Sequence, residues 1–281
     1  MRVIISVVSH GHEDLIIKIG TLKRLASLDN VRVVCRDNCP TSKLETYCNE
    51  INVIYVKNDK RLGFAANNNL NFLYYLNEFG HQVDDYYLML NPDVIIDEEN
   101  FDNYCYQLSK SRSQILTANL FVDKNFKIQD HNIRHYPSFG SFISSYLLNR
   151  NNTLVKRTNN QLPKGQAYWC SGAFLGIRVE DYILLGGMDE YFYLYCEDID
   201  FCRRARLLNI NVDMVENSFA VHLRQRDSQK FFSKYFFWHV ISVLKYSMTH
   251  VAVKPRQSSI EKYQNQKILN RSITRLDRQG R

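Results

Sequence analysis

The chain has 281 residues, 45% of them hydrophobic and 23% charged, and a formal net charge of +7. Such a length carries a sizeable core, and these proportions exclude a disordered or low-complexity chain. Seven Cys without a CxxC pair argue against a disulfide framework or a zinc site and predict reduced thiols.

VIISVVSH (3–10) is an unbroken, β-branched apolar run, which predicts a strand buried on both faces. It is too short for the apolar region of a signal peptide and runs into His10, His12, Glu13 and Asp14, so a cytosolic chain is expected. HEDLIIKIGTLKRLASL (12–28) has helical spacing. VRVVCRDN (31–38) reads as a strand, TSKLETYCNE (41–50) as a helix capped by Thr41 or Ser42, and INVIYVKN (51–58) as a strand. NNNLNFLYYLNEF (67–79) reads as a helix and DDYYLMLNPDV (84–94) as a fourth strand. Alternation of this kind predicts a parallel α/β sheet, in which ligands sit beyond the carboxyl ends of the strands. Ser9, Asp37, Asn38, Asn91 and Asp93 all fall there.

Beyond residue 100 the pattern weakens. A helix near 101–112 and a strand ILTANLFV (115–122) precede a polar, Asn-rich region. YWCSGAFLGIR (168–178) is strand-like, VEDYILLGG (179–187) a short helix closed by glycines, and EDIDFCRRARLLN (197–209) a helix with acids in its first turn. VDMVENSFAVHLR (212–224) supplies a last strand.

No GxGxxG and no GxxxxGK[ST] is present, which leaves a nicotinamide Rossmann domain and a P-loop unsupported. Asn91 and Asp93, two apart at a strand end, point to one side in extended geometry. Together they offer part of the oxygen shell that Mg2+ or Mn2+ wants, and a plain Asn-Pro-Asp turn is the competing reading. Glu197, Asp198 and Asp200 either cap a helix or do chemistry, and Asp200 has Arg203 and Arg204 at pairing distance along the helix.

The ordered series VVSHGHED, RDN, GFAANNN, LMLNPDV, WCSGAFLGIR, GGMDEYFYLYCEDIDFCRRAR and then His222 resembles the family 2 glycosyltransferases of the GT-A fold, over about residues 3–240. It is most similar to the bacterial rhamnosyltransferases that build O-antigen and other surface polysaccharides. The resemblance implies a Rossmann-like mixed, mainly parallel sheet flanked by helices, with the catalytic domain at 1–225 and a C-terminal amphipathic helical extension at 226–281. It implies an inverting transfer from a nucleotide-diphospho-sugar, with dTDP-L-rhamnose as the donor, to a saccharide on a polyprenyl diphosphate. By the same resemblance Asp198 is the catalytic base, with Glu197 beside it. Ser9, Asp37, Asn68, Asn69, Asn91, Asp93, Trp169 and Gly172 contact the donor, Asp37 accepting from the pyrimidine base. Asp93 and His222 hold Mg2+ or Mn2+. Two departures stand out: Asn67 replaces a family glycine, and Asn91 replaces the first Asp of the Asp-x-Asp pattern.

SQKFFSKYFFWHVISVLKYSMTHVAV (228–253) is aromatic and helical in character, with Lys230, Lys234 and Lys245 on one face and Phe236, Val240, Val243 and Ser247 roughly opposite. Its lysines argue against a membrane span. After Val253 eight Lys and Arg stand against Glu261 and Asp277, a net +6, so the first 253 residues are nearly neutral. These features predict a helix in the membrane interface and an anionic membrane partner, and the resemblance, through a polyprenyl-linked acceptor, implies the cytoplasmic face of the inner membrane. A helix packed on the catalytic domain, with an oligomer contact, is the alternative. Two rival functions are weaker. A nucleotidyltransferase needs a triphosphate loop that SHGHEDLI lacks, and a nucleic-acid-binding protein leaves Asp198 without a role.

Overall fold

A computed structural model describes residues 1–111, 114–138, 140, 152–224, 234–248 and 252–268. Its main sheet follows from the branched apolar runs. Val3–Ser9 (β1) lies almost wholly buried between Val31–Asp37 (β2) and Tyr86–Leu90 (β4), in parallel with both. Ile54–Lys57 (β3) extends the parallel part beyond β2. On the other side come Phe174–Arg178 (β9), Gln114–Phe121 (β6), Asn211–His222 (β10) and Val94–Ile95 (β5), giving the order β3-β2-β1-β4-β9-β6-β10-β5. β9 runs antiparallel to β4 and β6, and β5 antiparallel to β10, so the sheet is mixed but mainly parallel. Alternate residues divide between two cores, one on each face. Ile4, Tyr87 and Met89 join Phe72, Tyr182 and Phe201, while Val3, Ile5 and Leu88 join Phe101, Tyr104 and Phe174.

The helices differ from the sequence expectation in instructive places. The expected helix over 12–28 is two, Glu13–Ile19 (α1) and Thr21–Ala26 (α2). Gly20 sits at φ +65° and its N–H closes α1 on the Ile16 carbonyl, a conformation glycine takes at little cost. Ser42–Glu50 (α3) is capped by Thr41, whose side chain accepts the Leu44 N–H. Phe64–Phe79 (α4) starts three residues earlier than expected. Glu98–Lys110 (α5) is capped by Asp97. Val179–Leu184 (α6) and Glu197–Leu207 (α7) follow.

The expected strand 168–178 is also two. Tyr168–Cys170 (β8) pairs antiparallel with Ile133–His135 (β7) in a separate small sheet, and the chain turns before entering β9. β7 lies in the polar stretch that carries no strand period. All seven cysteines are free thiols, as expected. At the C-terminal end Lys234–Met248 (α8) is helical, and the chain from 252 packs back onto the body. Asp189 accepts the N–H groups of Arg256 and Gln257, and Ile260 is buried in the core. Parts of the expected helix 228–253 lie outside the described residues.

Candidate active site

The carboxyl ends of β1, β2, β4 and β10 open into one cleft of about 410 Å³. His10, His12 and Asn38 form its floor, and Gly63, Phe64 and Asn67, at the start of α4, form one side. Tyr193, Leu194, Tyr195 and Trp238 face them, and Asn91, Asp93, His222 and Arg224 close the end. Two contacts fix the width. Phe64 N–H donates to the Tyr193 carbonyl at 2.9 Å, and a Cβ on Gly63 would stand 2.2 Å from that oxygen. Only glycine fits at 63 without moving a wall.

Asn91-Pro92-Asp93 is a turn, not the end of an extended strand. β4 stops at Leu90, and Val94 N–H closes on the Asn91 carbonyl at 3.2 Å. The turn still brings both side chains to the cleft. Asp93 Oδ1 lies 3.4 Å from His222 Nε2, and His222 Nδ1 lies 2.5 Å from Asp130 Oδ2. Arg224 donates to the other oxygen of Asp130, its Nε at 2.8 Å. Burial opposes the charge on His222, but the hydrogen bonds to Asp130 and Asp93 prevail and lift its pKa to about 9. Burial likewise opposes the charge on Asp130, and His222 and Arg224 hold it well below the usual carboxylate range.

A carboxylate behind an imidazole that faces a second carboxylate is the arrangement metal-binding histidines use. Among the described residues no three His, Cys, Asp or Glu side chains group closely enough to hold a metal unaided. Asp93 and His222 alone would supply two ligands, so a cation there would need the rest from elsewhere, as Mg2+ takes them from phosphates.

Glu197 and Asp198 stand beside this cleft, after an unusual turn. Tyr195 and Cys196 both take left-handed backbone, at φ +70° and +67°. Each such residue costs roughly 1–3 kcal/mol, a strain that clusters at functional sites. The turn starts α7 with its acids foremost. Asp198 is half-buried, its Oδ1 accepting the Ile199 N–H at 2.9 Å and its Oδ2 the Gly172 N–H at 3.3 Å. Gly172 in turn presses on Phe64, whose ring would lie 2.7 Å from a Cβ there. Asp198 is thus joined through Gly172 to the wall of the cleft. Burial lifts its pKa to about 6, against the pull of the Ile199 and Gly172 N–H groups and the nearby Arg134. Glu197 is more deeply buried, and its Oε2 has no hydrogen-bond partner among the described residues. Burial, then the Asp198 charge, pushes it well above the usual range. Burial thus raises both adjacent carboxyls, and each opposes the charge on the other.

The other expected donor residues lie deeper. Ser9 is fully buried and its Oγ accepts the His12 N–H. The Asp37 carboxylate accepts from the Cys39 and Thr41 N–H groups and the Tyr55 hydroxyl, all within its own loop and β3. Asn68 bonds Ser6 and the Phe64 carbonyl, and Asn69 bonds Met188, Tyr182 and Glu190. Trp169 Nε1 donates to the His135 carbonyl, across the small sheet.

No family model matches the chain. Over 251 residues it is 33% identical to the rhamnosyltransferase WbbL of Escherichia coli (strain K12), covering 87% of this chain and 92% of that protein. The chain is a family 2 glycosyltransferase of the GT-A fold. This glycosyltransferase is also 26% identical over 199 residues to Agl10, a low-salt glycan biosynthesis hexosyltransferase of Haloferax volcanii, covering 71% of this chain and 61% of that protein. Among solved structures its fold is similar to a mannosyltransferase from Pyrobaculum calidifontis in complex with GDP-Man and Mn2+, with a TM-score of 0.56 at 12% identity over 89% of this chain and 66% of that one. It is similar as well to GalNAc-T7 with UDP, GalNAc and Mn2+, with a TM-score of 0.57 at 15% identity over 87% of this chain and 48% of that one.

Several residues of the glycosyltransferase's cleft were not singled out from sequence as donor or metal contacts. Asn67, the departure from the family glycine, is buried in the first turn of α4 and donates to the Leu62 and Gly63 carbonyls, so the helix starts without a glycine at that point. Its Oδ1 accepts from Asn58, which also bonds Asn38. Asp130 and Arg134 sit in the polar stretch around β7, and an isolated acid or base there has no spacing to mark it.

Proposed function

We propose that this glycosyltransferase is an inverting rhamnosyltransferase that moves L-rhamnose from dTDP-L-rhamnose to a saccharide carried on polyprenyl diphosphate, in the synthesis of O-antigen or a related surface polysaccharide. The observation that carries the reading is the Asp198 carboxylate beside the cleft, held by the Ile199 and Gly172 N–H groups, with burial lifting its pKa to about 6. The 33% identity to WbbL supports rhamnose as the sugar. Another sugar on the same fold is the second reading, favoured by the similarity to a hexosyltransferase.

A sugar hydroxyl is a weak nucleophile. Asp198 accepts its proton as the oxygen attacks the anomeric carbon, and the nucleotide diphosphate leaves from the opposite face. Direct displacement of this kind inverts the anomeric centre. Asp93 and His222 would hold Mg2+ or Mn2+, which neutralises charge on the departing diphosphate. Arg224, at the same end of the cleft, adds a fixed positive charge. Thermal stabilisation and donor hydrolysis across a panel of nucleotide-sugars test the donor. A response to dTDP-L-rhamnose above all others is expected, and an equal or larger response to a UDP- or GDP-sugar would replace rhamnose with that sugar.

Two further results follow. Asp198 must be ionised to act, so transfer should fall as pH drops through about 6 and level off above it. Arg134 helps to hold the carboxylate charged, so Arg134→Gln should move this acid limb to higher pH. A pH–rate profile on both proteins checks the sign. Divalent metal should strengthen binding of dTDP, and Asp93→Ala should remove most of that gain. Calorimetry with and without EDTA reads it, and equal affinities in the unaltered protein would exclude metal from donor binding.

A further inference from the structure

Helical spacing puts Lys245 and Val243 on roughly opposite faces of α8, yet in the structure both turn toward the body. Lys245 points inward, donating to the Tyr191 carbonyl at 2.5 Å with its Nζ 4.1 Å from the Tyr191 ring centre. Ser242 donates to the Leu194 carbonyl, Val243 and Tyr246 are buried, and Trp238 packs on Tyr193. The outer face is left apolar. Val240, Ile241, Leu244 and Met248 are 36%, 48%, 49% and 73% exposed. At 100° per residue they fall within an arc of about 100°. A contiguous exposed stripe of large apolar side chains marks an interaction surface.

We infer that this stripe is the face by which the enzyme lies on an anionic lipid bilayer, with α8 in the plane of the interface. Charge names the occupant. The chain after Val253 carries a net +6, with Lys262 and Lys267 exposed on the helical segment 259–268. Anionic headgroups complement that charge, whereas a second copy of the same basic segment repels it. Among the described residues no helix is long and apolar enough to cross a membrane, so the stripe rests on the surface. The position matters as much as the chemistry. The inner face of α8 clamps residues 191–195, which run directly into Glu197 and Asp198, and Trp238 lines the cleft. A bilayer seated on the outer face therefore lies one helix away from the catalytic acids, where a lipid-linked saccharide is presented. The inference rests on the lipid-linked acceptor reading for this last step only.

Flotation of the full chain with phosphatidylglycerol–phosphatidylcholine vesicles, beside dTDP binding, tests it. The unaltered protein should float with the anionic vesicles and much less with phosphatidylcholine alone. Ile241→Glu with Leu244→Glu should lose at least tenfold in vesicle binding and keep the same dTDP affinity and melting temperature. Lys262→Glu with Lys267→Glu should weaken binding to the anionic vesicles alone. Equal flotation of the stripe variant, or no flotation of the unaltered protein at low salt, overturns the inference. So does a stripe variant that turns a dimer into a monomer in sedimentation, because the stripe is then covered by a second copy. Vesicle binding without any dTDP binding leaves the bilayer face standing and removes the donor reading.

Discussion

Replacing Asp198 with asparagine is expected to slow sugar transfer by about 10²–10⁴-fold, the range lost when a general base is removed. Asparagine keeps the size of the side chain, and its oxygen still accepts one of the two N–H bonds from Ile199 and Gly172. It cannot take the proton of the attacking hydroxyl. Donor affinity should change little, since Asp198 stands beside the cleft proposed to hold the donor and does not line it. Glu197→Gln should cost less, because burial pushes that carboxyl well above the usual range, toward the uncharged form that glutamine mimics. Transfer kinetics and donor binding on the same variants decide the matter. An Asp198→Asn enzyme within tenfold of the unaltered one would move the base elsewhere.

Asp200→Asn is expected to act on stability. Arg204 is only 2% exposed, and its Nε donates to Asp200 Oδ2 at 2.7 Å. Its other nitrogens donate to the Leu185 and Gly187 carbonyls at 2.9 and 3.0 Å. Removing the carboxylate leaves a guanidinium buried without its counter-charge, which typically costs about 3–5 kcal/mol. The loss should appear as a lower midpoint of denaturant unfolding with little change in slope. Joint replacement, Asp200→Leu with Arg204→Met, should recover much of it, because a buried ion pair is often no more stable than apolar side chains of similar volume. If Asp200→Asn unfolds at the same midpoint, the pair contributes nothing to the fold.

The parallel half of the sheet was legible because each strand is a run of branched apolar residues, and nothing competes with that signal. Residues whose partner lies far along the chain were harder to read. Asp130 is 92 positions from His222, and only the curl of the sheet brings them together. Lys245 shows a second limit. Helical periodicity groups residues on a face but does not say which face meets the body, and here the Tyr191 carbonyl and ring supply what a lysine needs inside. The break at Gly20 was hidden for a simpler reason, since the apolar spacing continues across it. Asp198 stood out through an ordered motif series and through the crowding of acids, whereas the strained turn ahead of it left no mark in the residue types.

The closing of the cleft by Trp238, and of the 191–195 segment by α8, also sets an order in time. A ribosome delivers His10 and Asn38 well before the residues around Arg256 and Gln257, which fasten Asp189. At roughly 5–20 residues per second, many seconds separate the first lining residue from the last brace. A nascent chain thus holds most of its sheet before it has a finished site. The helix that we assign to the membrane is also the one that supplies Trp238 to the cleft, so synthesis completes the two surfaces together.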